Sequence, residues 1–161
     1  MATPQAETPP DGFALRHRPG FLIRRMHQIH LALFAEECAA FDLTPVQFSI
    51  MTVAATQPDL DQVKLAQEVG VDRATMANVV ARLETKGMVR RRHAAKDKRV
   101  RLVSLTPQGA ALLDRMRPAA QRAHDRTIAA LPPADRELFM ALLTRLVDAQ
   151  NDFGRAPLRL G

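Results

Sequence analysis

The apolar residues of this chain recur mostly at helical spacing. From Pro19 to about Ala40, Leu22, Met26, Ile29 and Leu33 follow at intervals of four, three and four. That spacing is one stripe of a helix. Ile23, His27, His30 and Phe34 form a second stripe. One small core needs a single stripe, so the spare face is expected to meet a second subunit or line a cavity. Thr44-Pro45-Val46-Gln47 reads as a capping box with proline in the first turn, opening a helix to about Ala55. Pro58 ends any continuation. After Thr106-Pro107 a long helix is expected towards Leu131, burying Leu112, Leu113, Met116, Ala120, Ile128 and Leu131, with a kink at Pro118. Pro132-Pro133 breaks the chain. A last helix, from about Ala134 to Gln150, carries Leu138, Phe139, Leu142, Leu143, Leu146 and Val147 as a wide apolar stripe. Residues 1–18 lack periodicity and read as a flexible arm, disordered over the first dozen positions; residues 151–161 read as a frayed tail.

Between these helices lies the most specific stretch, residues 61–101. Asp61 is placed to cap a helix from about Val63 to Val69, Gly70 supplies a left-handed turn, and Asp72 can cap a second helix from Arg73 to about Lys86. Gly87 stops that helix. Ala66 is small where two helices would cross, and Met76, Val79, Val80 and Leu83 continue one apolar stripe. This is helix-turn-helix spacing, whose second helix enters the DNA major groove. Thr75, Asn78 and Arg82 share the opposite face; with Arg73 they are the candidate DNA contacts on this helix. Met88–Arg92 and Val100–Leu105 are expected to pair as two short strands around the polar tip HAAKDKR.

Charge sharpens this reading. The whole chain is +6, and so is the segment from Arg90 to Arg101, whose seven cations face one acid, Asp97. The remainder therefore sums to zero. Net charge concentrated in one hairpin reads as phosphate contact rather than general solubility. Arg90, Arg92, Lys96, Asp97, Lys98, Arg99 and Arg101 complete the DNA-binding set. The seven Phe stand without Trp or Tyr, so stacking platforms for single strands are scarce and duplex DNA is the better partner. One cysteine leaves no internal disulfide framework and no cysteine-rich zinc site. The N-terminal residues lack the pattern of a signal peptide and no apolar run is long enough for a membrane span, so a cytoplasmic protein is expected.

LAQEVGVDRATMANVVARLETKGMV followed by KDKRVRLVSLTPQG resembles the multiple-antibiotic-resistance regulator (MarR) family of winged-helix transcription factors. The likeness runs over roughly residues 19–150. It implies a mainly α fold with a small β-hairpin wing and a DNA-binding lobe at 44–106. It also implies a dimer built from N- and C-terminal helices at 19–40 and 107–150. The family's wing motif stands here as Asp97-Lys98-Arg99. By resemblance Arg99 reaches the minor groove and Asp97 holds the wing.

The same resemblance implies a dimer on a pseudo-palindromic operator, repression by default, and release by a small ligand between the dimer layer and the DNA-binding lobe. That junction would draw on His27, His30, Phe34, Phe48, Met51 and Met116. RPGFLIRRMHQIHLALFAEE with DLTPVQF is similar to regulators of aromatic-acid breakdown, some of which respond to aryl-coenzyme A thioesters such as p-coumaroyl-coenzyme A. Arg16, Arg18, Arg24 and Arg25 could hold coenzyme A phosphates, or be surface charge. No cofactor is expected. His27 and His30 are three apart, as a metal would need, yet no further cluster completes a ligand set. Cys38, late in its helix and without any tyrosine to activate it, reads as a small core residue. The competing readings are a redox or metal sensor, a non-specific DNA-compacting protein and, with no nucleophile–base set or phosphate loop to support it, an enzyme of aromatic metabolism.

Overall fold

The computed structural model describes residues 15–154; expectations for residues 1–14 and 155–161 lie outside them. Six α-helices and three short strands follow in the order α1 (Pro19–Glu37), α2 (Pro45–Thr56), β1 (Leu60–Asp61), α3 (Gln62–Val69), α4 (Arg73–Thr85), β2 (Val89–His93), β3 (Arg101–Leu105), α5 (Pro107–Ile128) and α6 (Pro133–Ala149). The fold is mainly helical with a small antiparallel sheet, as the pattern predicted.

Local chemistry sets most boundaries. Thr44 and Gln47 close the expected capping box reciprocally, Gln47 N donating to Thr44 Oγ1 at 3.3 Å and Thr44 N to Gln47 Oε1 at 2.9 Å. Thr106 caps α5 by accepting from Gly109 N at 3.0 Å. Several expected boundaries shift. α1 ends at Glu37 rather than near Ala40, because the chain tightens into a 3-10 turn over Ala39–Phe41 and leaves it through Asp42 at φ 48. The hairpin strands begin one residue later than expected. α5 stops at Ile128 and runs through Pro118, which stands on its exposed side. At the tail, Asn151–Phe153 form a 3-10 turn.

The sheet has the order β1-β3-β2, with Leu60 opposite Val103 and Arg91 opposite Val103 on the other side. The two-residue β1 was not anticipated: so short a strand leaves no periodicity to read.

A single core joins every helix except α6. Phe34, Ile50, Met51, Leu65, Met76, Leu83, Leu113 and Met116 are its largest fully buried side chains. Phe34 meets Phe48 edge-on at 6.0 Å between ring centroids. α1 and α5 pack side by side, and the buried residues of α5 include the small Ala119, Ala120 and Ala123, while Ile128 and Leu131 are only half-buried. Small residues let two long helices approach closely, and an apolar-stripe count undervalues them. On α1 only Phe34 is fully buried; Leu22, Met26 and Ile29 of the first stripe and Ile23 of the second remain exposed. No residue of α6 is buried. No helix among the described residues is long and apolar enough to cross a membrane.

Candidate nucleic-acid interface

The helix-turn-helix forms as its capping residues dictate. Asp61 accepts from Val63 N at 2.6 Å and starts α3. Gly70, at φ 74, turns the chain, and Val71 N closes back onto Ala66 O at 3.0 Å. Asp72 caps α4 twice: its carboxylate accepts from Thr75 N at 2.9 Å and from Thr75 Oγ1 at 2.7 Å. These two bonds hold the Asp72 carboxyl below its usual range. Met76, Val80 and Leu83 are fully buried and fix the inner face of α4. Arg73, Asn78 and Arg82 lie on the exposed side; Thr75 is half-buried, and its hydroxyl proton is committed to Asp72. Thr75 therefore keeps only acceptor capacity for DNA, a narrower role than the sequence suggested.

The wing splits its charge in two. At the tip, Asp97 accepts from Arg99 N at 2.9 Å and from its guanidinium at 3.2 and 3.3 Å, which holds the Asp97 carboxyl low. The Arg99 side chain is still 92% exposed, so the pair shapes the tip and leaves the guanidinium facing outwards. His93 Nδ1 meets Lys98 O across the same turn. At the root, Glu84 at the end of α4 takes both the backbone N–H and the guanidinium of Arg91, at 3.0 and 2.5–2.8 Å. Arg92, one of the expected DNA contacts, makes a two-armed pair with Asp59 at 3.1 and 2.7 Å. Asp59 also accepts from Ser104 Oγ at 2.5 Å. The Arg92 guanidinium first, then the Ser104 hydroxyl, hold its carboxyl at about 2. Two of the seven hairpin cations thus tie the wing to the lobe. Arg73, Arg82, Arg90, Lys96, Lys98 and Arg101 are exposed and form no ion pair among the described residues.

The expected ligand residues divide between core and surface. Phe34, Met51 and Met116 are at most 2% exposed, so in this structure they are close-packed core rather than open surface. Phe48 is half-buried against Phe34. His27 is exposed, whereas His30 turns towards α5, bonding Thr127 Oγ1 at 2.9 Å and stacking on His124 with centroids 5.1 Å apart. Burial first, then the neighbouring His124 and His27, lower the His30 pKa. No group of three or more potential metal ligands occurs among the described residues. Cys38 is 3% exposed and burial pushes its thiol up, away from the reactive thiolate. Arg16, Arg18, Arg24 and Arg25 are all exposed; Arg24 lies over the Phe21 ring at 5.5 Å and Arg25 donates to Gln28 at 3.2 Å.

A cavity of about 680 Å³ opens elsewhere, where the end of α1, the start of α2 and the end of α4 meet. Of the residues singled out in the sequence as DNA or ligand contacts, only Arg82 borders it. Asp59, Glu84, His124 and Thr127 were not anticipated: each acts through a partner distant in the chain or in another element, which no local pattern reveals.

A helix-turn-helix clamped to a cationic β-wing defines a winged-helix DNA-binding protein. Residues 43–100 match the model of the MarR family. Over 135 residues the chain is 34% identical to the transcriptional regulator HosA of Escherichia coli O127:H6, covering 84% of this chain and 98% of HosA. It superposes on Bordetella bronchiseptica BpsR with a TM-score of 0.81 at 31% identity, over 84% of this chain and 97% of BpsR; that structure concerns regulation of BpsR DNA binding by 6-hydroxynicotinic acid. Streptomyces coelicolor PcaV in complex with its natural ligand gives a TM-score of 0.79 at 30% identity, over 84% of this chain and 96% of that one. The chain belongs to the MarR family of transcriptional regulators.

Proposed function

We propose that this protein is a homodimeric repressor that occupies a pseudo-palindromic operator and leaves it when an aromatic acid or its coenzyme A thioester binds. The division of charge in the wing carries the reading. Arg91 and Arg92 are spent fixing the wing, while Arg90, Lys96, Lys98, Arg99 and Arg101 are exposed. A rigid mount carrying exposed cations suits phosphate contact, with Asn78 and Arg82 at base edges or backbone. Residues 44–106 form the DNA-binding lobe. One such lobe reads few base pairs, so two copies are joined through 19–40 and 107–150, their recognition helices roughly 34 Å apart. Exposed apolar side chains on α1 and α6 support that pairing. The likeness to BpsR supports an aromatic effector. Arg16, Arg18, Arg24 and Arg25, near His27, remain the candidates for an effector's anionic groups.

The test is a titration of the purified protein against DNA from upstream of its own gene and against scrambled duplex. Preference for the former by about a thousandfold supports a regulator; equal binding would leave only non-specific association. Arg99→Ala should weaken operator binding about tenfold with the dimer intact and reduce the salt slope by about one. An unchanged affinity at moderate salt would remove the wing from the interface.

A further inference from the structure

Thr75 stands in the first turn of α4, and helical spacing puts it on one side with Asn78 and Arg82. Asn78 and Arg82 are exposed and Thr75 is half-buried, so its side chain still reaches solvent. What its hydroxyl can do there is fixed by Asp72. The carboxylate accepts from Thr75 N at 2.9 Å through Oδ1 and from Thr75 Oγ1 at 2.7 Å through Oδ2. A carboxylate has no proton to give, so the bond at Oδ2 takes the hydroxyl proton. Asp72 stays ionised at neutral pH, because the backbone bond first and then the hydroxyl bond favour its charged form. The backbone bond also anchors the carboxylate in the cap. It cannot swing away and release the hydroxyl without uncapping α4.

Thr75 Oγ1 is left with lone pairs only, and that sorts its possible partners on DNA. Phosphate oxygens are acceptors, so this hydroxyl makes no hydrogen bond to the backbone of the duplex. Guanine O6 and N7 and thymine O4 are acceptors as well. The major groove offers two donors, the amino groups on adenine N6 and cytosine N4. We propose that Thr75 determines operator specificity by accepting a hydrogen bond from the exocyclic amino group of an adenine or a cytosine, and that Asp72 sets this choice by holding the hydroxyl proton. Asp72 is thus a positioning residue that acts through Thr75. The inference rests on the DNA-binding reading above and goes beyond it, because it assigns a class of base to one side chain.

Selection of bound duplexes from a randomised pool tests this, run in parallel with the full-length wild type, Thr75→Val, Thr75→Ser and Asp72→Asn. In the wild type, one position per half-site should favour adenine or cytosine on one strand over guanine or thymine by about tenfold. Thr75→Val keeps the shape without the hydroxyl and should erase that preference while leaving the other positions as they were. Thr75→Ser should retain it. Asp72→Asn gives the sharpest outcome. Asparagine still caps the helix, its oxygen accepting from Thr75 N, but its amide nitrogen donates to Thr75 Oγ1. The hydroxyl proton is then free, and the preference at the same position should invert to guanine or thymine. Where adenine is selected, 2-aminopurine in its place still pairs with thymine but carries its amino group in the minor groove. That exchange should cost the wild type about tenfold in affinity and Thr75→Val nothing. Melting temperatures check that each variant is folded; Thr75→Ser and Asp72→Asn decide the matter if Thr75→Val is not. A Thr75-dependent position that favours guanine or thymine in the wild type overturns the proposal. So does a uniform loss across all sequences in Thr75→Val, which marks a backbone contact, or an adenine or cytosine preference that survives in Asp72→Asn. A motif with no Thr75-dependent position removes this inference alone, whereas a wild type that selects no motif removes the operator reading with it.

Discussion

Asp59 sits in the turn after α2 at φ 60, a left-handed conformation that costs a residue with a side chain about 1 kcal/mol. Its bonds to Arg92 and Ser104 hold it there and pin both wing strands to the lobe. Asp59→Asn removes the charge and releases Arg92. Affinity for scrambled duplex should then rise while operator preference falls, as parallel titrations would show; unchanged preference would make the clamp irrelevant to DNA. With its pKa lowered from 3.8 to about 2, Asp59 contributes stability above about pH 4 that disappears as pH falls towards 2. His30 works in another window. Its pKa is lowered from 6.5, so the neutral ring is favoured in the fold and stability is lost as pH falls below about 6.5. The melting temperature should drop between pH 7 and pH 5.5, and His30→Gln, which can still bond Thr127, should flatten that drop. Equal slopes would exclude the ring as the titrating group. The stripe of α1 placed His30 on an apolar-bearing face, but its partners His124 and Thr127 lie more than ninety residues on.

At the scale of elements, capping chemistry was readable because it is local. Thr44, Asp61, Asp72 and Thr106 each cap a helix within three residues of themselves. The seat of α5 against the wing was not readable. A Cβ at Gly109 would lie 2.0 Å from Met88 O, so glycine is required by close approach of the wing root to the first turn of α5. Gly109→Ala should destabilise by about 2–3 kcal/mol and lower the melting temperature by roughly 5–10 °C. A melting point within a degree of wild type would mean that the two elements separate freely. In the sequence this glycine resembles any other residue early in a helix, since the atom it avoids belongs to another element.

Among the described residues, α1 and α6 leave large apolar side chains exposed. α6 buries nothing, and Leu138, Leu142 and Leu146 are each about half exposed, as are Leu22 and Ile23 on α1. Burial of such side chains is worth about 25 cal/mol per Å² of apolar area, which would favour the proposed pairing of two copies. Replacing Leu142 and Leu146 together with Asp should shift sedimentation from dimer to monomer and weaken operator binding at least a hundredfold, with weak non-specific binding retained. A dimer that persists would place the interface elsewhere.

The sequence by itself determined the order of helices, their caps, the helix-turn-helix spacing and the concentration of charge in the hairpin. All of these depend on neighbours within about one or two helical turns. Tertiary structure alone decided which hairpin cations are free and which are spent on Asp59 and Glu84. It also decided that Phe34 alone of the two α1 stripes is fully buried, and that Met51 and Met116 pack in the core. Those outcomes depend on groups brought together across tens of residues, and a charge or an apolar side chain carries no mark of the partner it will meet.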